Sequence, residues 1–299
     1  MFLSILLGVS AIGGAPAQAA DPLAALYTRV ARDLQAGKPL VVTVHVALCD
    51  NRAIACGTAA RGDGGKPRRN LYWGGAAGFR AFFDHQRRYK RVFLDHGDGK
   101  IILERAVYRL HVRRPSAAWR RRGVTKAFDV YLVGLAYRGL QIGRAMDALI
   151  SQVSQEGDKS TLRLKEGTRL DIGAASHVIG YAGHNHLMDV TRYSWPPWRR
   201  KTPVGYFALA CMTAPYLGPH LSGHSARGIL LTRTLMYPGA FTVYGLVQGL
   251  AAGAGQRGVF RRGADAYARY QKRPPRRIRV AFTHDARASF RRRYGPKCF

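Results

Sequence analysis

A histidine and a cysteine each follow an apolar segment that is typical of a buried strand. His184 follows the segment from Ser176 to Gly183, and Cys211 follows the segment from Val204 to Ala210, 27 positions further on. Neighbouring strands of a parallel sheet lie about 4.8 Å apart, so both side chains would open into one crevice at the carboxyl ends of the strands. An imidazole beside a thiol can take its proton, and the thiolate can attack a carbonyl carbon. The pattern predicts a nucleophilic Cys–His dyad.

Each of these residues also has a plainer interpretation. A cysteine that ends an apolar strand is often a small buried hydrophobic residue, and a histidine at a strand end often bonds only to the backbone. The catalytic hypothesis depends on both residues occurring together, each at a strand end. A helix predicted from Thr213 to Leu221 favours it, because backbone N–H groups at a helix N-terminus can stabilise an oxyanion.

The same segments resemble the caspase, legumain and gingipain superfamily of cysteine peptidases. In that superfamily an apolar block precedes the catalytic histidine and a second one precedes an Ala-Cys pair, as from about Val178 to Thr213 here. The resemblance implies a caspase-like fold, a peptide or protein substrate, Cys211 as nucleophile and His184 as base. One departure is that Asn185 follows His184, where the superfamily usually has glycine.

The resemblance also implies supporting roles for backbone and side-chain groups. The backbone N–H groups of Gly183 and Cys211 would stabilise the oxyanion. Asn51, which follows the first predicted strand, would correspond to the legumain asparagine that orients the catalytic histidine.

A metal site is an alternative interpretation of the same region. His184, His186 and Asp189 form the pattern H-x-H-x-x-D, and imidazoles with a carboxylate and an open position suit a catalytic zinc ion. This pattern favours a zinc-dependent hydrolase, although no second recognised ligand cluster accompanies it. The glycine-rich segment 251–258 lacks the G-x-G-x-x-G spacing of a dinucleotide site, so we expect no resident cofactor.

The net charge of +31, from 48 Lys and Arg against 17 Asp and Glu, supports a further alternative. A surface of this kind attracts polyanions, which favours a non-catalytic domain that binds an anionic envelope polymer or nucleic acid. The basic residues are dispersed along the chain, however, and no known nucleic-acid-binding signature is present. The charge can also be solvated surface without a dedicated site.

The first residues predict export to the periplasm or the outside of the cell. Met1 to Ala20 contains a short apolar run followed by small residues and Ala17-Gln18-Ala19, as in a cleavable signal peptide of residues 1–19. The run is too short to span about 30 Å of hydrocarbon, so we expect no membrane span. The chain has four cysteines, which are Cys49, Cys56, Cys211 and Cys298. In an oxidising compartment they could form two disulfides, in any of three pairings.

The remaining chain, residues 20–299, is expected to form one α/β domain with a basic C-terminal tail. Apolar runs typical of buried strands alternate with helical patterns, which predicts a three-layer α/β/α domain with a mostly parallel sheet. The predicted strands are 39–48, 91–94, 100–112, 128–136, 176–183, 204–210 and 228–235. The predicted helices are 21–35, 76–88, 141–153, 213–221, 241–252 and 261–272.

Overall fold

The computed structural model describes residues 21–157, 159–221 and 225–284. The predicted signal peptide, Cys298 and the basic tail beyond residue 284 lie outside these ranges. The strands are β1 (Leu40–Ala47), β2 (Lys90–Asp95), β3 (Ile102–Val112), β4 (Phe128–Tyr137), β5 (Lys159–Arg163), β6 (Arg169–Gly173), β7 (Val178–Ala182), β8 (Val204–Leu209), β9 (Ala226–Thr232) and β10 (Phe282–Thr283). The helices are α1 (Ala24–Gln35), α2 (Phe79–Asp84), α3 (Ala117–Arg120), α4 (Ile142–Ser154), α5 (Thr213–Leu221), α6 (Ala240–Ala251), α7 (Gln256–Tyr270) and α8 (Pro275–Arg279).

Eight strands form one mixed sheet in the order β10-β9-β8-β7-β1-β4-β3-β2. The central strands β4, β1, β7, β8 and β9 are all parallel to one another, and antiparallel strands flank them on both sides. Every residue of β1 is buried, as expected for a parallel strand that is covered on both faces. The predicted α/β fold with a mostly parallel sheet is confirmed.

Two hydrophobic clusters cover the two faces of this sheet. The first contains apolar residues of α1, α2, α6 and α7, and the second contains those of α4, α5 and the separate two-stranded sheet β5–β6. The arrangement has three layers, with helices on both sides of the strands. No helix within the described ranges is long and apolar enough to cross a membrane.

The loop after β1 is closed by a disulfide between Cys49 and Cys56. Asn70, which is fully buried, fixes the base of this loop: its Oδ1 accepts from the Cys49 N–H at 3.0 Å, and its Nδ2 donates to the Cys49 carbonyl at 2.7 Å. Among the described residues, Cys211 is a free cysteine. The disulfide resolves one pairing that the sequence left open.

The segment that leads into β8 is anchored to the end of α4. Arg200 is buried and donates from Nη2 to the carbonyls of Gln152 and Ala174, at 2.6 and 2.8 Å. Glu156 Oε1 accepts from the backbone N–H groups of Lys201 and Thr202, at 3.1 and 2.6 Å. These contacts fix the chain just before the strand that carries Cys211.

The Glu156 carboxyl is stabilised in its ionised form. Burial raises its pKa, but hydrogen bonds from Thr202 and Lys201 and the charge of Arg200 outweigh burial and lower the pKa to about 2, from an ordinary value of 4.5. Because the folded-state pKa lies below the unfolded-state value, the ionised carboxylate stabilises the fold above about pH 4.5, and this stabilisation is lost as the pH falls towards about 2.

We expect Glu156→Gln to reduce the dependence of the free energy of unfolding on pH between about pH 5 and pH 2. The amide keeps the shape of the side chain and removes the charge that titrates there. Urea denaturation of the parent and the variant across this range measures the effect. Glu166→Gln, at an exposed carboxylate with no hydrogen bond in the described chain, is the matched control. A Glu156→Gln profile parallel to that of the parent would contradict the assignment.

Candidate functional site

His184 and Cys211 leave the sheet at the same level. β7 and β8 pair in parallel with one constant register, in which Ala182 lies opposite Leu209. His184 comes two positions after Ala182, and Cys211 comes two positions after Leu209. The neighbouring parallel strands expected from the sequence are present, and they bring the imidazole-bearing and thiol-bearing segments to one edge of the sheet.

A buried asparagine ties the two segments together beyond the strands. Asn185 is fully buried; its Nδ2 donates to the carbonyl of Cys211 at 2.8 Å, and its Oδ1 accepts from the Leu187 N–H at 3.2 Å. The second bond caps a short 3-10 turn over His186–Met188. Asn185 therefore joins the histidine segment to the cysteine segment.

The imidazole of His184 is held by Asp189. His184 is only 8% exposed, and its Nε2 lies 2.9 Å from each carboxylate oxygen of Asp189, which the 3-10 turn brings back towards the ring. The hydroxyl of Tyr181 donates to the His184 carbonyl at 2.6 Å. No described residue hydrogen-bonds Nδ1, so Nδ1 is the ring nitrogen left for proton transfer.

Asn51 does not contact His184. It is exposed, its Oδ1 accepts from the Cys56 N–H at 2.9 Å, and its Nδ2 reaches the carbonyls of Gly57 and Thr58 at 3.5 and 3.4 Å. The chain turns into the disulfide loop directly after β1, so the side chain stabilises that loop. In this structure the group that orients His184 is the carboxylate of Asp189, which the sequence indicated only as a possible zinc ligand.

Cys211 occupies a sharp turn between β8 and α5. Its side chain is partly exposed, and Sγ lies 3.8 Å from the Met236 carbonyl, without a hydrogen bond to His184. The next residue, Met212, has a φ of +52°, in the left-handed region that side chains other than glycine seldom adopt. A bond to the segment that follows β9 holds this turn, since the Met212 N–H donates to the Thr234 carbonyl at 3.0 Å. Strained backbone of this kind persists where surrounding contacts fix it.

The two predicted oxyanion donors differ in the structure. The Gly183 N–H donates to the Leu209 carbonyl at 3.1 Å and so extends the β7–β8 ladder, which occupies this donor. The Cys211 N–H donates to no acceptor among the described residues. Of the predicted pair, only the Cys211 N–H remains to receive a developing oxyanion.

The residues of the zinc alternative come together only loosely. His184 and Asp189 form the pair described above, and His186 Nδ1 lies 3.8 Å from Asp189 Oδ2. Within the described ranges, no group of three or more His, Cys, Asp or Glu side chains is placed to hold a metal ion. The hydrogen bonds of Asp189 therefore orient the imidazole of His184.

Two tyrosines, Tyr72 and Tyr237, pack together near the segment that contacts Cys211. Tyr237 follows the residue whose carbonyl meets Cys211 Sγ; its ring packs 5.9 Å from that of Tyr72, and its backbone N–H donates to the Tyr267 hydroxyl at 3.2 Å. Burial raises the pKa of Tyr237 to about 12, so the phenol is neutral at physiological pH. The Tyr237 side chain therefore adds no charge to this region.

Compared with models of protein families, with curated proteins and with solved structures, the chain matches none of them. The interpretation of the site therefore rests on its own geometry.

We expect Asn185→Ala to lower the free energy of unfolding by about 1–3 kcal/mol, because it removes a buried bridge and leaves the Cys211 carbonyl without its donor. Asn51→Ala is the matched control at an exposed asparagine that also follows a strand, and we expect it to cost less than about 1 kcal/mol. Urea denaturation of both variants measures the difference. Equal losses would show that Asn185 does not join the two segments.

Proposed function

We propose that this protein is a cysteine-dependent hydrolase that cleaves a peptide or amide bond in a peptide or protein substrate. Cys211 is the nucleophile, His184 is the general base and Asp189 is a positioning residue for the imidazole. The observation that carries the proposal is the shared register of β7 and β8, by which the segments that contain His184 and Cys211 leave the carboxyl edge of a parallel sheet at the same level.

The chemistry follows from the groups at this edge. His184 Nδ1 takes the thiol proton, and the Cys211 thiolate attacks the substrate carbonyl carbon to form a tetrahedral oxyanion, which the Cys211 N–H stabilises. The carbon–nitrogen bond then breaks, and the imidazolium gives its proton to the leaving amine. Water, deprotonated by His184, attacks the thioester, and the bond from carbon to sulfur breaks to release the acid and restore the thiol.

The Cys211 thiol and the imidazole are not hydrogen-bonded in the structure. Catalytic hydrogen bonds are often long in ligand-free enzymes and shorten when substrate binds. Cys211 lies at a constrained turn, whereas Asp189, which holds the imidazole, is exposed at the end of a short 3-10 turn. We therefore assign the adjustment to the histidine segment, which moves towards the thiol in the substrate complex.

Two further parts of the proposal concern family and location. A caspase-like assignment is supported by the three-layer fold and by the positions of His184 and Cys211 after adjacent parallel strands. Export is supported by the Cys49–Cys56 disulfide, since disulfides persist in oxidising compartments. Outside the cytosol, a reduced Cys211 would need protection from oxidation, which its partial burial supplies.

The test is acylation of the folded protein by a thiol-directed acyl electrophile at neutral pH, followed by mapping of the labelled residue. A Cys298→Ser background leaves Cys211 as the one cysteine outside the Cys49–Cys56 disulfide. We expect Cys211 to be labelled, and His184→Ala to slow the reaction by about a hundredfold or more, because general-base assistance contributes about that much.

His96→Ala, which removes an exposed histidine at the hairpin between β2 and β3, is the matched control and should leave the rate unchanged. Asp189→Asn should fall between the control and His184→Ala, because it weakens the orientation of the imidazole and keeps the base. Labelling that is equally fast with and without His184 would overturn the proposed dyad.

A further inference from the structure

Five arginines line a single groove at the end of the sheet where β2 begins and β3 ends. The groove has a volume of about 840 Å³, and its arginines are Arg87, Arg88, Arg109, Arg113 and Arg114. We call it the arginine groove. Four of the five side chains are exposed, and that of Arg109 is half-buried. The fold therefore brings five of the 48 basic residues together in one groove.

The guanidinium groups of the arginine groove have no carboxylate partners in the described part of the chain. Elsewhere arginines near this edge strand are neutralised: Arg91 pairs with Asp84 at 2.6 Å, and Arg105 pairs with Asp95. The groove itself is lined by no acidic residue. Asp129, whose Oδ1 lies 2.7 Å from Nδ1 of the lining residue His111, is one carboxylate beside the groove. The five arginines still leave an excess of positive charge that suits an external anion.

One side of the groove is held in place by a polar network. Arg88 Nη1 donates to Gln248 Oε1 at 2.8 Å, and Gln248 Nε2 donates to the hydroxyl of the buried Tyr89 at 3.0 Å. On the other side, Arg109 lies on β3, whose pairing with β4 fixes its position. Preorganised cations lose less side-chain entropy when a ligand binds.

The lining identifies the chemistry of the ligand. Guanidinium groups recognise phosphate through paired N–H donors, and several spaced cations suit a chain of phosphates. Proteins that hold single-stranded nucleic acid through its bases stack them on aromatic rings, whereas the groove is lined by no Phe, Tyr or Trp. Its other lining residues are Leu110, Val112 and His111, whose ring is hydrogen-bonded to Asp129. We propose that the arginine groove binds the backbone of a phosphodiester polymer without reading bases.

This site is separate from the proposed hydrolase site. Val112, the last residue of β3, pairs with Phe128, the first residue of β4, so the groove lies at the amino edge of the parallel strands. His184 and Cys211 lie at the carboxyl edge. The groove would hold the protein on a phosphate-rich polymer while the opposite edge stays open.

Binding of the full chain to two fluorescent probes tests the proposal: an oligothymidylate and an abasic phosphodiester oligomer of equal length. We expect equal affinity for both within about threefold. Arg113→Gln/Arg114→Gln should weaken binding about tenfold and reduce the slope of log K against log salt by about 1.4, since each phosphate contact to a single strand contributes about 0.7.

Arg276→Gln/Arg277→Gln removes the same charge from an exposed pair of arginines on α8 and is the matched control, with both affinities expected to stay near those of the parent. Circular dichroism establishes that the variants are folded. An equal loss in both double variants would show diffuse attraction by net charge and overturn the site. A strong preference for the oligothymidylate over the abasic oligomer would overturn recognition through the backbone.

Cys211→Ala should bind both probes as the parent does, which separates this result from the hydrolase proposal.

Discussion

The parallel pairing of β7 with β8 is the constraint on which the candidate site depends. A shift of one residue in this register would turn each side chain of β8 to the opposite face of the sheet. Gly180 and Phe207, which are partners in the register, help to fix it, because a Cβ at Gly180 would lie 2.1 Å from the Phe207 ring. Only glycine leaves space for the aromatic ring there. The same contact that packs the core thus sets His184 level with Cys211.

Beyond the ends of β7 and β8, side-chain hydrogen bonds take over from the backbone pairing of the strands and position the candidate residues. Asn185 joins the Cys211 carbonyl to the turn that carries Asp189, and Asp189 in turn holds the imidazole. On the cysteine side, the segment after β9 supports Met212 in a conformation that costs about 1–3 kcal/mol on its own. The thiol is consequently at the more rigid of the two positions, and the histidine segment is the one we expect to adjust.

Charge is organised differently at the two edges of the sheet. At the carboxyl edge, the thiol contacts the carbonyl of Met236, and the phenol of the next residue, Tyr237, is neutral. At the amino edge, five arginines share one groove without a described carboxylate among its lining. Buried cations elsewhere, such as Arg200, are satisfied by backbone carbonyls. The positive net charge of the chain is therefore a property of particular surfaces and does not by itself describe a function.

The sequence alone predicts the elements whose buried faces are evident from the order of apolar and polar residues. The runs that became β1, β4, β7 and β8 are apolar on both faces, and amphipathic spacing identified the helix that became α4. The β5–β6 hairpin gave no such signal, because most of the residues of β5 are exposed and only a few apolar side chains reach the second cluster.

Within the candidate site, the sequence alone selected His184 and Cys211, because each stands where an apolar run ends and the chain leaves the sheet. It did not identify the partner that orients His184. Asn51 was chosen by its place after the first strand, but the disulfide loop carries it away, and a five-residue return of the chain brings in Asp189 instead. The tertiary structure decided these contacts, and the gathering of separate arginines into one groove, because they depend on where loops and strands meet in space and not on spacing along the chain.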